Sequence, residues 1–317
     1  MTKLVTVDPS TYNRTKFIGG SDIAAVLGIS PWRTPYALWQ DKSTPRVEDD
    51  AKKKVFSRGK RWESVVGEML VEALHDQGRE VEIVSTNRRY IDPSVPYFAS
   101  EIDFELRLDG SDEITNCELK TVHPFKSKEW GEEGSDTVPL HYLAQVQWGL
   151  GVTGRKDAIV AALFGADELR PYPVVADLET IEAMRLRAMN FWQNHVLAGV
   201  APDLVDINDV NKMFSKDSEA PALIADPQLQ QLYLRARAIN KEIAAREAEF
   251  ESIEFQIKCA MKDCTELIVE RDGESKTGIT WKNRAHSWLD QAGLKEQHPK
   301  LVREFTRKGE SRVFTVK

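Results

Sequence analysis

Asp103 and the triplet Glu118-Leu119-Lys120 are the residues of this chain whose types and spacing suit chemistry. Each sits in a short strand-like run, and the two runs are separated by Asp109-Gly110, a dipeptide that favours a tight turn. Read as a hairpin centred near Gly110-Ser111, they put residue 103 opposite residue 118. Side chains alternate across a strand, so Glu118 and Lys120 share one face while Cys117 and Leu119 take the other. Cross-strand partners stand roughly 4.5–5.5 Å apart at Cβ. Two carboxylates at that spacing repel unless a cation lies between them. Hard oxygen donors with few other groups suit Mg2+. A lysine alongside can orient a water or stabilise charge developing on a phosphate. That is the makeup of a metal-dependent phosphodiester hydrolase. A surface hairpin of alternating charge uses the same residue types, so the neighbouring segments decide between the two readings.

Glu63 is the first of these neighbours. It precedes Val66, Leu70 and Leu74 on one helical stripe. A carboxylate at the head of a core-facing stripe is costly unless paired or metal-bound, or else it serves the helix N-terminus. Together, Glu63, Asp103, Glu118 and Lys120 form a coherent metal site. Gln145 and Gln147 follow on a short helix. An amide both donates and accepts, so it can hold a phosphate, a water or a metal-bound group. Gln145 is the better candidate, because Gln147 faces elsewhere on the helix. Trp32 and Trp39 flank the amino-terminal region and can stack on an unpaired base. With eight tryptophans to bury, core packing is the expectation for both. His123 and His141 are not needed by the metal chemistry and read as structural.

The elements that must position these groups alternate between strand and helix. Strands are expected at 81–91, 97–108, 113–122, 157–164 and 170–175, and helices at 57–77, 139–149 and 177–198. Residues 1–50 read as short helices. Ser21 is a candidate N-cap for Asp22–Leu27, Gly28 a C-terminal stop, and Ser30-Pro31 and Thr34-Pro35 are cap-plus-proline starts. The fold class is α/β, a mixed sheet flanked by helices. A second section begins near 214, dividing the chain into 1–213 and 214–317. Leu229, Leu232, Ala236, Ile239, Ile243, Phe250, Ile253 and Ile257 repeat by threes and fours, interrupted at Arg246, and predict one long helix over about 226–262. A strand pair at 265–270 and 277–282, turning at Asp272-Gly273, and a basic tail complete the expectation.

The chain has 317 residues with an apolar fraction of 41%, enough for a substantial core. No apolar run approaches the ~18 residues of a membrane span, and the amino terminus has no signal-peptide pattern. Three cysteines suit a reducing cytoplasm and are too few for a four-cysteine metal site. They are expected to be small buried residues. The net charge of −7 argues mildly against nucleic-acid binding, but its distribution is uneven. Lys276–Lys317 holds ten Lys or Arg against four Asp or Glu, and Lys52–Arg61 is basic as well. Such stripes can track a phosphate backbone.

In this order along the chain, "GGSDIAAVLGISPW", "RGKRWE", "SEID", "ELKT" and "HYLAQVQWGLGVTG" resemble the YqaJ-type viral recombinase nucleases. These are phage exonucleases related to lambda exonuclease within the PD-(D/E)xK superfamily. The resemblance covers residues 14–200 most strongly, and the tail resembles the extension of longer members. The proline of the superfamily label is absent, since Ile102 precedes Asp103. The resemblance implies a restriction-endonuclease-like core. Asp103 and Glu118 would bind Mg2+ (with Mn2+ able to substitute), the Leu119 carbonyl would complete the shell, and Lys120 would position the attacking water. Glu63 would hold a second metal directly or through water, with Gln145 beside the site. Arg14 and Ser21 match the spacing of residues that grip a terminal 5′-phosphate, with Lys16 a rival for Arg14. A helix-start serine plus an arginine makes an anion site on physical grounds too, although simple capping explains Ser21 equally well. The implied activity is 5′→3′ degradation of one strand at double-stranded DNA ends, in a bacterial host's cytoplasm, with a nicking or structure-specific endonuclease of the same fold, or a non-catalytic DNA-end-binding protein, as the alternatives. The implied partners are a single-strand annealing protein of the RecT or Red beta kind and further copies of the chain, a ring-shaped trimer favoured.

Overall fold

The computed structural model describes residues 5–7, 13–44, 50–217 and 220–317, without the side chains of Val7 and of residues 50–60. Apart from Arg61, the basic stretch 52–61 therefore lies outside the described side chains. The chain divides into two compact units, Met1–Met213 and Phe214–Lys317.

The first unit is built on a six-stranded sheet in the spatial order of the sequence: β1 (Val5–Val7), β2 (Val81–Ile91), β3 (Ala99–Leu108), β4 (Thr115–Val122), β5 (Asp157–Phe164) and β6 (Glu168–Val175). All neighbours are antiparallel except β4 and β5, which run parallel. A parallel pair needs a crossover, and helix α4 (Leu140–Thr153) provides it. Helices α1 (Gly20–Val26), α2 (Pro35–Ser43) and α3 (Asp50–Asp76) precede β2, while α5 (Leu178–Phe191) and α6 (Ile207–Met213) follow β6. The result is the mixed α/β sheet flanked by helices that the sequence predicts.

Two apolar clusters sandwich the sheet. On one face Val66, Leu70 and Leu74 of α3 meet Cys117, Leu119 and Ala161. Gly67 lets α3 lie close, since a Cβ there would stand 2.3 Å from the Phe104 ring. On the other face α1, α4 and α5 contribute Ile23, Trp148 and Ile181 to a cluster with Ile102, Val160 and Ala162. β5, apolar and buried from Ala158 to Phe164, serves both clusters, as a central strand with parallel pairing must.

Several local expectations are corrected. Ser21 does not cap α1. Gly19 is the cap residue, and Asp22 accepts a hydrogen bond from its N–H at 3.0 Å. Ser21 already lies inside the first turn, and its hydroxyl accepts from Arg14 instead. Gly28 stops the helix with φ of 73°. Ser30-Pro31 starts no helix, because the Ile29 and Ser30 N–H groups bond back to the Ala24 carbonyl and close the end of α1. Thr34 does cap α2, accepting from Ala37 N at 3.0 Å. The helix expected over 177–198 ends at Phe191 and continues as a π-helical turn, Trp192–Leu197. There Trp192 stacks on Tyr97, centroids 5.2 Å apart.

The second unit holds α7 (Pro227–Met261), capped by the Asp226 side chain. It also holds the hairpin β7 (Glu266–Arg271) and β8 (Glu274–Thr280), and two short helices, α8 (Gln291–Gln297) and α9 (Pro299–Phe305). The hairpin turns on Asp272 and Gly273, both with positive φ, the pairing that suits a two-residue turn. The two short helices sit where a basic tail was expected. Cys117 is buried as expected, but Cys259 and Cys264, both in this second unit, are exposed. Among the described residues no helix is long and apolar enough to cross a membrane.

Candidate active site

The site forms where β3 and β4 part. Their ladder runs from Leu106↔Thr115 to Phe104↔Cys117 and ends there. One step further, Asp103 takes over from the backbone: its Oδ2 accepts the Leu119 N–H at 2.9 Å. β3 changes face at the same point, for Ile102 packs in the α4-side cluster and Phe104 in the α3-side cluster. β2 yields there too. Thr86 and Arg88 pair with Phe104 and Ile102, and Asn87 between them has φ of 50°, a left-handed conformation that asparagine tolerates. Asp103 therefore points into the opening between the strands instead of sharing a pleat face with Glu118.

Glu118 lies on the α4 face of β4, between the α3-facing Cys117 and Leu119, and is buried. Its Oε1 receives the Lys120 ammonium and the Gln145 amide. Gln145 is held in turn by Gly20 of α1, whose missing Cβ would stand 3.2 Å from Gln145 Cγ. Gln147 does face elsewhere. Its amide bridges the Val175 carbonyl at 2.7 Å and the Asp177 N–H at 2.9 Å.

Electrostatics at this point are strongly coupled. Burial pushes the Asp103 carboxyl well above its ordinary range, Glu118 adds to the push, and Glu63 contributes further. Burial works against the Lys120 ammonium, but Glu118 and Asp103 outweigh it and hold Lys120 above its usual value. The Lys120 ammonium also lies 5.2 Å from the centre of the Tyr142 ring. A divalent cation fits this donor set. Two hard carboxylates crowd one opening, and burial together with the neighbouring Glu118 makes Asp103 resist ionisation. Among the described residues no three His, Cys, Asp or Glu side chains form a cage, so Glu63 bears on Asp103 through its charge and not as a third cage member.

Beside this opening lies a second group. Arg14 donates to Ser21 Oγ at 2.7 Å, both side chains being exposed. The structure thus brings Arg14 and Ser21 together. Beneath it sits a buried pair that spacing did not signal: Lys42 Nζ donates to Asp22 Oδ2 at 2.7 Å and to the carbonyls of Arg14 and Phe17 at 2.7 and 2.6 Å. Arg33 adds a bond to Asp22 Oδ1 at 2.6 Å. Burial alone would raise the Asp22 carboxyl, but Lys42, Arg33 and Arg14 hold it far below its ordinary range.

The core expectation fails for Trp32, which is 70% exposed. It lies on the bend between α1 and α2, and its ring meets His141 edge-on at 4.7 Å and Tyr142 at 5.8 Å. Trp32, His141 and Tyr142 thus make an aromatic shelf that ends at Lys120. Trp39 does pack partly against the core and donates to the His195 carbonyl at 3.0 Å. His123 caps its own turn, as its structural reading implied.

The family model of the YqaJ-like viral recombinase domain matches residues 12–156, a span that holds every candidate residue above. The uncharacterized protein YqaJ of Bacillus subtilis (strain 168) is 27% identical over 314 residues, spanning 96% of this chain and 92% of that one. Among solved structures, the alkaline exonuclease LHK-Exo of Laribacter hongkongensis aligns with a TM-score of 0.43 at 16% identity, over 59% of this chain and 91% of that chain. Its complex with dAMP aligns with a TM-score of 0.43 at 15% identity, over 63% and 94%. Over residues 12–156 this chain is thus similar to the YqaJ-like viral recombinase domain.

Proposed function

We propose that this protein is a divalent-metal-dependent exonuclease that degrades the 5′-ended strand of duplex DNA and leaves a 3′ single-stranded tail. The observation that carries the reading is the meeting of Asp103, Glu118 and Lys120 where β3 and β4 part. Asp103, Glu118 and the Leu119 carbonyl are the groups that would hold Mg2+, or Mn2+ in its place. Bound there, the cation supplies Lewis acidity at the scissile phosphate and lowers the pKa of a coordinated water. Lys120 donates to the attacking water and stabilises the extra charge on the phosphate. Gln145 fixes the Glu118 rotamer, and Glu63 adds negative charge that favours a second cation through water.

Arg14 and Ser21 offer a terminal 5′-phosphate a guanidinium and a hydroxyl, and an arginine can bind phosphate in two-pronged fashion. Trp32 offers a face to the first base. An annealing protein acting on the 3′ tail and assembly into a trimeric ring belong to the same proposal, as does action in a phage-infected bacterial cytoplasm.

The test is digestion of linear duplex labelled at either end, with a covalently closed circle as control. Mg2+-dependent loss of the 5′ label before the 3′ label, with the circle intact, is expected. Cleavage of the circle would make the protein an endonuclease. Asp103→Ala and Lys120→Ala are expected to lose cleavage by several orders of magnitude while retaining DNA-end binding. Arg14→Ala is expected to slow 5′-phosphorylated ends far more than 5′-hydroxyl ends. Equal slowing of both would remove Arg14 from the phosphate site.

A further inference from the structure

α7 carries an unbroken heptad register. Leu229, Ala236, Ile243, Phe250 and Ile257 occupy one seam position, and Leu232, Ile239, Arg246, Ile253 and Ala260 the other. The seam is open within its own unit, for Ile243 is 49% exposed, Ile253 47% and Phe250 66%. A repeat of 3.5 residues sustained over this length specifies pairing with another helix of the same period, and α7 is the sole described helix here of comparable apolar seam. We propose that α7 pairs with α7 of a second copy of this chain, as an antiparallel coiled coil centred between Ala244 and Ala245.

The choice of a second copy follows from self-complementarity. Antiparallel pairing matches one seam position with the other. About that centre, Ile239 meets Phe250 of the second copy, Ala236 meets Ile253, and Leu232 meets Ile257. Large residues oppose large ones in the central layers, and the small Ala236 is set against the larger Ile253. Ile243 covers Arg246, so the two arginines are offset and do not face each other.

The direction follows from charge. In a parallel pair Glu242 would face Glu247 and Glu249 would face Glu254, each twice, with the two Arg246 side chains abreast. Antiparallel pairing sets Tyr233 and Asn240 against those Glu254 and Glu247 positions. It leaves one repeated acid contact, Glu242 with Glu249. Both of these acids already have an arginine: Arg246 pairs with Glu249 at 2.6 Å and Arg235 with Glu242 at 3.7 Å. Like charges opposed along a seam select against that arrangement, so the antiparallel pair is favoured.

Two measurements on the full-length protein test this. Light scattering coupled to size exclusion should show that Ile243→Asp halves the mass of the wild-type assembly. Equal masses would overturn the proposal. The second measurement is indifferent to whether that variant folds. In a Cys259→Ser, Cys264→Ser background, Ile239→Cys and Phe250→Cys proteins are oxidised separately and after mixing. A disulfide-linked dimer should appear in the mixture and in neither protein alone. Linkage within each protein alone, or none in any sample, would overturn it.

Discussion

Burial and Glu118 both drive Asp103 toward its protonated form, and this has consequences that can be measured without DNA. Its pKa is higher in the folded chain than in the unfolded one, so above an ordinary carboxyl value of about 4 the folded state holds the extra proton. The stabilisation is complete below that value and is lost as pH rises through the raised one. Asp103→Asn removes the penalty of ionisation. In chelator-treated buffer at neutral pH the variant should melt above wild type, and the gap should close near pH 4. Added Mg2+ should raise the melting temperature of wild type and not of the variant. A second residue-scale expectation concerns Gln145, which positions Glu118 without bearing charge. Gln145→Ala should cost roughly 10–100-fold in kcat, the usual effect of removing an outer support of a metal ligand. Residue type and spacing alone singled out Asp103, Glu118, Lys120 and Gln145. They did not reveal that Asp103 leaves the pleat, because a two-residue period assumes a regular strand and nothing in the run around Ile102 and Phe104 marks a change of face. Asn87 was the available signal, being a residue that accepts left-handed backbone.

At the scale of elements, the buried Asp22–Lys42 pair ties α1, α2 and the turn at Arg14 together. Asp22→Ala would strand a buried ammonium, and breaking such a pair costs about 3–5 kcal/mol. Chemical denaturation should show a loss of that order, with phosphate-end selectivity falling alongside it. Replacing both members with apolar residues of similar volume should recover much of the stability. Gly67→Ala, which drives a methyl into Phe104, should destabilise unit one without altering any site residue. The strands that alternate or run fully apolar were legible: β2 and β5 have the expected bounds. The start of α3 was not, since its first turns, Asp50–Lys54, are mostly polar and carry no apolar stripe. β1 is three residues long and has too little pattern to read. The Asp22–Lys42 contact joins residues twenty apart, which local periodicity does not encode.

For the whole molecule, the division at Met213 puts every candidate site residue in the first unit. A chain ending at Met213 should keep Mg2+-dependent cleavage of short duplexes while losing whatever association α7 confers, as activity and mass measurements on the same preparation would report. The break was visible in sequence as a change of period, from mixed strand and helix to a long heptad repeat. The exposure of Cys259 and Cys264 there was not visible, since cysteine content alone says nothing about which surface a thiol faces.

The contrast among the three thiols has a practical outcome. Cys117 lies sealed in the cluster between β4 and α3, and burial pushes its thiol far above the ordinary range, so it stays unreactive in the native protein. Maleimide dyes will therefore attach to Cys259 and Cys264 alone. That gives fluorescence access to the carboxy-terminal unit, with the first unit chemically untouched and no engineered residue required.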